Sequence, residues 1–204
     1  MPLNGGCEVC REPLVDGACP NAVCRLVDRD FTQIFTVSEN PEQTWQVIYR
    51  YKYGEEKHLA DDLGRMLVEF LAGNRAELRR FDLITSVALY IGPQAPRLWN
   101  YLDLIVDVAE RLDDSWPFEA DVITKVQPTG RFLGIGVEER RAIAERDLRN
   151  ALRVPVPSRV EGKRILVIDD AYSEGFTMRE MARVLRRAGA AEVAGLVFAR
   201  RKGA

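Results

Sequence analysis

The sequence contains no run of about 18 or more consecutive apolar residues, which argues against a transmembrane helix. It lacks a basic excess: 29 Lys and Arg stand against 31 Asp and Glu, a formal net charge of -2. A protein dedicated to wrapping duplex DNA normally carries a clear positive balance, so that class is disfavoured. Arg140, Arg141, Arg146, Arg149 and Arg153 do cluster, but Glu138, Glu139, Glu145 and Asp147 are interleaved with them, the pattern of a solvated, ion-paired helix face. Histidine is almost absent, and the single His58 is expected on a helix surface. The start, Met1-Pro2-Leu3-Asn4-Gly5-Gly6, has neither the basic nor the apolar region of a signal peptide, so a cytoplasmic location without membrane partners is expected. Internal repeats and low-complexity tracts are missing too. At 204 residues, 47% hydrophobic and 29% charged, the chain has material for one globular core plus a small appendage.

Cysteine is scarce and confined to one end. All 4 lie between Cys7 and Cys24, as Cys7-Glu8-Val9-Cys10 and Cys19-Pro20-Asn21-Ala22-Val23-Cys24. Thiols of a cytoplasmic chain stay reduced, so disulfides are not expected. Two close pairs joined by a turn-rich loop can converge four thiolates on one tetrahedral ion, for which zinc is the usual occupant. Such a site is structural, because four sulfur ligands leave no open coordination position; the alternative is four unliganded thiols in a tail.

Downstream, hydrophobic patterning predicts a strand within Asp28–Val37, a helix or strand over Thr44–Tyr53 and an amphipathic helix over Lys57–Ala72. A buried strand is expected at Leu83–Leu89, a break at Gly92–Pro96, a helix at Trp99–Leu112, a strand at Val122–Val126 and a polar helix within Phe132–Leu152. The clearest strand, Arg164–Ile168, leads into a helix over Thr177–Ala188 closed by Gly189, then a strand at Val193–Phe198. This alternation implies a parallel α/β sheet covered by helices.

The chemistry concentrates in Ile165–Thr177. A buried strand carries two acids, Asp169 and Asp170, to its carboxyl edge, where ligands bind in open α/β sheets. A tight turn follows, then the start of a helix, where backbone amides and the helix dipole favour an anion. Gly175 permits close approach of backbone to a ligand oxygen, and the Ser173 and Thr177 hydroxyls add donors. Twin carboxylates beside an anion cradle make sense when sugar hydroxyls or a divalent cation lie between them; a pair of solvated acids at a strand end is the plainer alternative.

Ile165–Thr177 resembles the phosphoribosyl pyrophosphate signature of type I phosphoribosyltransferases: four hydrophobics, two acids, a short hydroxyl-bearing turn, Gly, any residue, Thr. The four-cysteine ribbon, Tyr51-Lys52-Tyr53-Gly54 before a helix, and Arg146–Asn150 make it similar to the ComF-like branch, which is linked to bacterial competence and carries a zinc ribbon on the transferase fold. The resemblance implies a ribbon over residues 1–28, a transferase-like domain over 29–204 with a hood around 29–55, and structural zinc on Cys7, Cys10, Cys19 and Cys24. It implies that Asp169 and Asp170 are catalytic residues gripping the ribose. It places the 5-phosphate on Ala171, Tyr172, Ser173, Glu174, Gly175, Phe176 and Thr177, and magnesium on the pyrophosphate. Related folds often dimerise, so a homodimer is a further expectation.

The chain departs from the family pattern. Glu174 stands where small Thr, Ser or Ala residues are common, and a carboxylate there repels a bound phosphate unless it points away. Ala171 replaces a commoner Val. The turn expected to hold pyrophosphate, Tyr90–Arg97, is poor in basic residues, leaving Arg97 and Asn100 as matches. Two functions follow. One is magnesium-dependent transfer of a phosphoribosyl group from phosphoribosyl pyrophosphate to a nitrogen acceptor selected by the hood. The other is a non-catalytic competence or DNA-uptake factor that binds nucleotide or single-stranded DNA. On that second reading Tyr49, Tyr51, Tyr53 and Lys52 supply stacking and charge; core packing and helix entry is their alternative role.

Overall fold

The computed structural model describes residues 6–54, 56–93, 95, 99–130 and 134–201. In chain order the elements are β1 (Ile34–Thr36), α1 (Pro41–Tyr53), α2 (Leu59–Gly73), α3 (Arg75–Leu78), β2 (Leu83–Ser86), α4 (Tyr101–Leu112), β3 (Thr124–Lys125), α5 (Val137–Ala142), α6 (Arg149–Ala151), β4 (Leu152–Arg153), β5 (Arg164–Tyr172), α7 (Phe176–Arg187) and β6 (Glu192–Arg200). A π-helical stretch, Ile143–Leu148, joins α5 to α6.

The main sheet is wholly parallel with order β1-β6-β5-β2. Its centre is explained by composition: Ile165–Ile168 and Val193–Phe198 have no polar face, and all are buried, as befits strands covered on both sides. Phe118 extends the sheet by a parallel bridge to Ile84. Helices α2 and α4 pack so closely that a Cβ on Gly64 would meet Val108 Cγ1 at 2.4 Å. A small antiparallel pair, β3 with β4, brackets the segment carrying α5, the π-helical stretch and α6.

The four-cysteine segment forms a turn-rich ribbon. Val15 and Ala18 exchange backbone hydrogen bonds around Asp16-Gly17, both at positive φ, the geometry that Asp-Gly favours in two-residue hairpins. Ile34 N donates to Val9 O at 2.8 Å, and Val9, Cys10 and Val23 are buried in one cluster with the sheet residues. The ribbon therefore shares the core of the parallel sheet.

Several elements differ from the sequence reading. Thr44–Tyr53 is helical, with Pro41 in its first turn and Asn40 accepting from Gln43 N as its cap. The first strand keeps only Ile34–Thr36 of the expected Asp28–Val37, because β1 is an edge strand paired on one side. Strand β2 ends at Ser86, although Val87 N still donates to Ile168 O. The largest difference is β5, which continues past Ile168 through both acids to Tyr172, pairing Ala171 with Ala199 and Tyr172 with Arg200. Ala171 and Tyr172 thus belong to the strand, and the turn shrinks to Ser173-Glu174-Gly175. Gly189 lies at φ 96 after α7, as its capping role requires. Among the described residues no helix is long and apolar enough to cross a membrane.

Candidate functional site

Strand β5 delivers Asp169 and Asp170 at the carboxyl end of the sheet, and both are buried. Asp170 accepts hydrogen bonds from Lys52 Nζ and, at 2.8 Å, from Tyr101 Oη. Its main-chain N–H donates to Asp169 Oδ1 at 2.8 Å. Burial and the charge of Asp170 hold the Asp169 carboxyl well above its ordinary value. Burial pushes Asp170 the same way, but the Lys52 charge and the hydrogen bonds of Lys52 and Tyr101 outweigh it and lower its pKa. The two neighbouring carboxyls are thus pushed in opposite directions, Asp169 up and Asp170 down, a pairing of the kind that sets acid and base roles apart.

Lys52 reaches this site from the last turn of α1. Its ammonium lies 4.8 Å from the Tyr101 ring centroid and 5.8 Å from that of Tyr53. Tyr51 is fully buried; its hydroxyl donates to Tyr101 O at 2.7 Å, and its ring meets Tyr101 and Trp99 edge-on. The Tyr51-Lys52 pair therefore anchors α1 to the start of α4 and to the twin acids, and neither residue is available for stacking on an external strand. Tyr49 and Tyr53 are the exposed members, with ring centroids 4.8 Å apart.

The turn after β5 has the geometry of an anion cradle. Gly175 adopts φ 89, in the left-handed region, and caps α7 without any side-chain hydrogen bond. The main-chain N–H groups of Ser173 to Thr177 find no acceptor among the described residues. Glu174, which the sequence marks as an obstacle, is turned to Arg140: Nη2 lies 3.0 Å from Oε1 in a largely buried charge contact without hydrogen-bond geometry. Ser173 Oγ donates to Glu174 Oε2 at 2.7 Å.

The arginine cluster divides its work. Arg141 and Arg146 pair with Glu145 and Asp147 on the surface, as expected of a solvated face. Arg140 turns inward to Glu174, and Arg149 makes a bidentate contact with the buried Glu180 of α7, both bonds at 2.8 Å. Of the pyrophosphate matches, Arg97 lies outside the described residues. Asn100 caps α4 by accepting from Leu102 N at 3.1 Å, and it lines a cleft with Ser86, Asp103, Asp121 and Lys125. There burial raises the Asp103 pKa and lowers that of Lys125. Sequence patterning carries no sign of Asp103, Lys125 or Tyr101 and places Arg140 on a solvated face, whereas its side chain is largely buried against Glu174; Lys52 carries a signal, through the Tyr51–Gly54 motif.

The cysteine sulfurs all lie within 4.8 Å of one another and are buried, with Cys10 and Cys19 at 3.7 Å. Zinc–sulfur bonds of about 2.3 Å in a tetrahedron place sulfurs about 3.8 Å apart, so the residues fit such an ion. The protonation chemistry fits as well. Hydrogen bonding from Cys24 brings the Cys10 thiol down to about 5, while the reciprocal bond and burial push Cys24 up. Burial pushes Cys19 up to about 12. One thiolate is tolerated by the cluster alone, and further deprotonation calls for a cation.

Comparison with known proteins follows these features. Residues 105–204 match the family described as the phosphoribosyl transferase domain. The chain is 29% identical over 190 residues to the DNA utilization protein YhgH of Escherichia coli, spanning 92% of this chain and 80% of that one, so the likeness extends from that domain into the N-terminal half. It is 27% identical over 152 residues to competence protein F of Haemophilus influenzae, spanning 72% and 63% respectively. A shorter stretch of 99 residues is 30% identical to the amidophosphoribosyltransferase of Methanocaldococcus jannaschii, spanning 38% of this chain and 21% of that one. With its parallel sheet, signature strand and four-cysteine ribbon, the chain thus joins a phosphoribosyl transferase domain match over residues 105–204 to a likeness, over most of its length, to the DNA utilization and competence proteins.

Proposed function

We propose that this chain binds the ribose 5-phosphate portion of phosphoribosyl pyrophosphate and transfers the phosphoribosyl group to a nitrogen acceptor. The single observation that carries this reading is the run of unaccepted amides from Ser173 to Thr177 next to the buried pair Asp169 and Asp170. The amides and the amino end of α7 receive the 5-phosphate. Asp170, whose pKa is held down by Lys52, accepts from a ribose hydroxyl, and Asp169, whose pKa is held up by burial and by Asp170, stands beside it to bind a second hydroxyl. Lys52 offsets a carboxylate pair that would otherwise repel a polyanionic ligand. Asp169 and Asp170 would hold, through water, a magnesium ion bound with the pyrophosphate, which would supply charge neutralisation at the leaving group. Positioning and charge stabilisation supply the catalysis.

The names of the relatives support a second reading. Proteins called DNA utilization protein and competence protein F are similar to this chain in sequence, so the same pocket serves on that reading as a nucleotide-binding element of a factor handling single-stranded DNA. Tyr49 and Tyr53, exposed and close together, are its stacking pair. Calorimetry with phosphoribosyl pyrophosphate and magnesium separates the two. Binding that is lost in Asp170→Asn, with pyrophosphate released on adding nucleobases, supports transfer. Binding without turnover supports the second reading. Absence of binding to the wild-type chain overturns the site assignment itself.

A further inference from the structure

The ribbon and the anion cradle touch at two points. Asn21 sits between Cys19 and Cys24, inside the second cysteine pair. Its Oδ1 accepts from Val23 N at 3.1 Å, at the start of the 3-10 turn that presents Cys24. Its Nδ2 donates to the carbonyl of Ser173, the first residue of the cradle. One side-chain amide therefore fixes a metal-binding turn and the phosphate turn together. The second contact is Tyr172, the last residue of β5. Its hydroxyl lies 3.2 Å from Cys24 Sγ, and its ring is held edge-on by Phe31. Above it the Gly175 backbone is so close that a Cβ there would meet the hydroxyl at 2.5 Å. The cradle rests on a phenol whose hydroxyl points at a cysteine of the cluster.

We infer that Tyr172 and Asn21 are positioning residues through which the four-cysteine metal site shapes the phosphate cradle, so that the ribbon metal and a ribose phosphate bind cooperatively. The inference rests on the reading of Ser173–Thr177 as the 5-phosphate site. A metal-bound thiolate carries more negative charge than a thiol and is the better acceptor for the Tyr172 hydroxyl, as outer hydrogen bonds to metal ligands generally are. With the metal in place, Cys24 and the Val23 turn are immobile; the phenol and the Asn21 amide then hold Ser173 and Gly175 where their amides converge. Without it, both contacts lose their fixed end. Linkage requires the coupling to be mutual: whatever factor the metal adds to phosphate affinity, the phosphate adds to metal affinity.

The test uses the full chain loaded with cobalt(II), whose sulfur charge-transfer band reports the thiolates directly, and titrates it with ribose 5-phosphate. In the wild type the band shifts as the sugar phosphate binds, and ribose 5-phosphate tightens metal binding against a competing chelator by about tenfold, within the usual range of such couplings. Tyr172→Phe keeps the ring and the fold but loses the hydroxyl. It should still bind ribose 5-phosphate, about tenfold more weakly, with the cobalt band unmoved and the metal-affinity gain abolished. Asn21→Ala, in an accessible turn, should give the same pattern to a smaller degree. Wild-type affinity together with wild-type band shifts in both variants overturns the coupling while leaving the cradle assignment intact, provided that Asp170→Asn has lost ribose 5-phosphate. No binding by the wild type, or equal binding by Asp170→Asn, overturns the cradle assignment and the coupling with it.

Discussion

Two clusters of buried charge flank the β5–turn–α7 unit, and they are built on opposite terms. Along α7 the buried charges meet opposite ones, although Arg179 Nε and Arg183 Nε have no hydrogen-bond partner among the described residues. Glu180 takes the bidentate Arg149, Arg179 bridges Asp28 at 2.8 Å and Glu145 at 2.9 Å, and Arg183 reaches Asp28 and Asp30 at 3.4 Å. At the carboxyl end of β5 two buried carboxyls lie side by side, Lys52 pairs with Asp170, and the Asp169 pKa is held up by burial and by Asp170. Matched pairs hold elements together; neighbouring carboxyls with pKa values pushed apart are the kind of group that functional sites collect. Burial of ionisable groups alone therefore does not mark a functional site, whereas burial that perturbs a pKa beside an open turn does.

That comparison can be broken in four ways, in descending order of expected effect. Arg149→Ala leaves Glu180, whose side chain is 1% exposed, with only Arg183 at 4.0 Å. Chemical denaturation should register a loss of about 3 kcal/mol, while affinity for ribose 5-phosphate in the folded protein stays near wild type. If affinity falls as far as stability does, the two clusters are not separate.

Asp170→Asn should strike binding directly, weakening ribose 5-phosphate by about 100-fold in calorimetry, the scale of a lost charge-assisted contact, and it should also lower stability because the buried Lys52 loses a charge partner. Glu174→Thr removes the carboxylate beside the cradle and frees Arg140, which lies 3.0 Å from it, to face an anion. Ribose 5-phosphate should then bind about tenfold more tightly, as expected for relief of one like-charge contact in a partly screened site. A weaker ligand would mean that the Arg140–Glu174 pair holds the turn in shape.

The smallest effect is a pH dependence. The folded-state pKa of Asp169 lies above its ordinary 3.8, so its protonated form is favoured by folding. Its contribution to stability is complete below 3.8 and is lost as pH rises through the raised value. Asp169→Asn has no such loss. Its melting temperature relative to wild type should therefore climb by a few degrees as pH rises above 3.8 through the raised value, and then level off. A difference that is flat with pH would mean that folding leaves the Asp169 pKa unshifted.

Much of this was readable from the chain. The aliphatic run Ile165–Ile168 could only be a buried strand, the acids after it had to fall at the sheet's carboxyl edge, and the cysteine spacing declared a four-sulfur cluster because each pair brings two sulfurs to one turn. Local sequence determined these features, since each depends on residues within a few positions of one another. The end of β5 was not readable. Whether Ala171 and Tyr172 stay extended depends on pairing with Ala199 and Arg200, about 28 residues away, and hydrophobic pattern stops at Asp169.

The partners of the site were hidden for the same reason. Lys52 lies 118 positions from Asp170, Asn21 lies 152 from Ser173, and Cys24 lies 148 from Tyr172. Nothing in a lysine's neighbours announces which carboxylate it will meet across a sheet. Composition and spacing set the kinds of groups and the elements carrying them. Which charges cancel, which amides stay without acceptors among the described residues and which turn leans on the four-cysteine ribbon were settled by packing, because those properties belong to contacts between segments far apart in the chain.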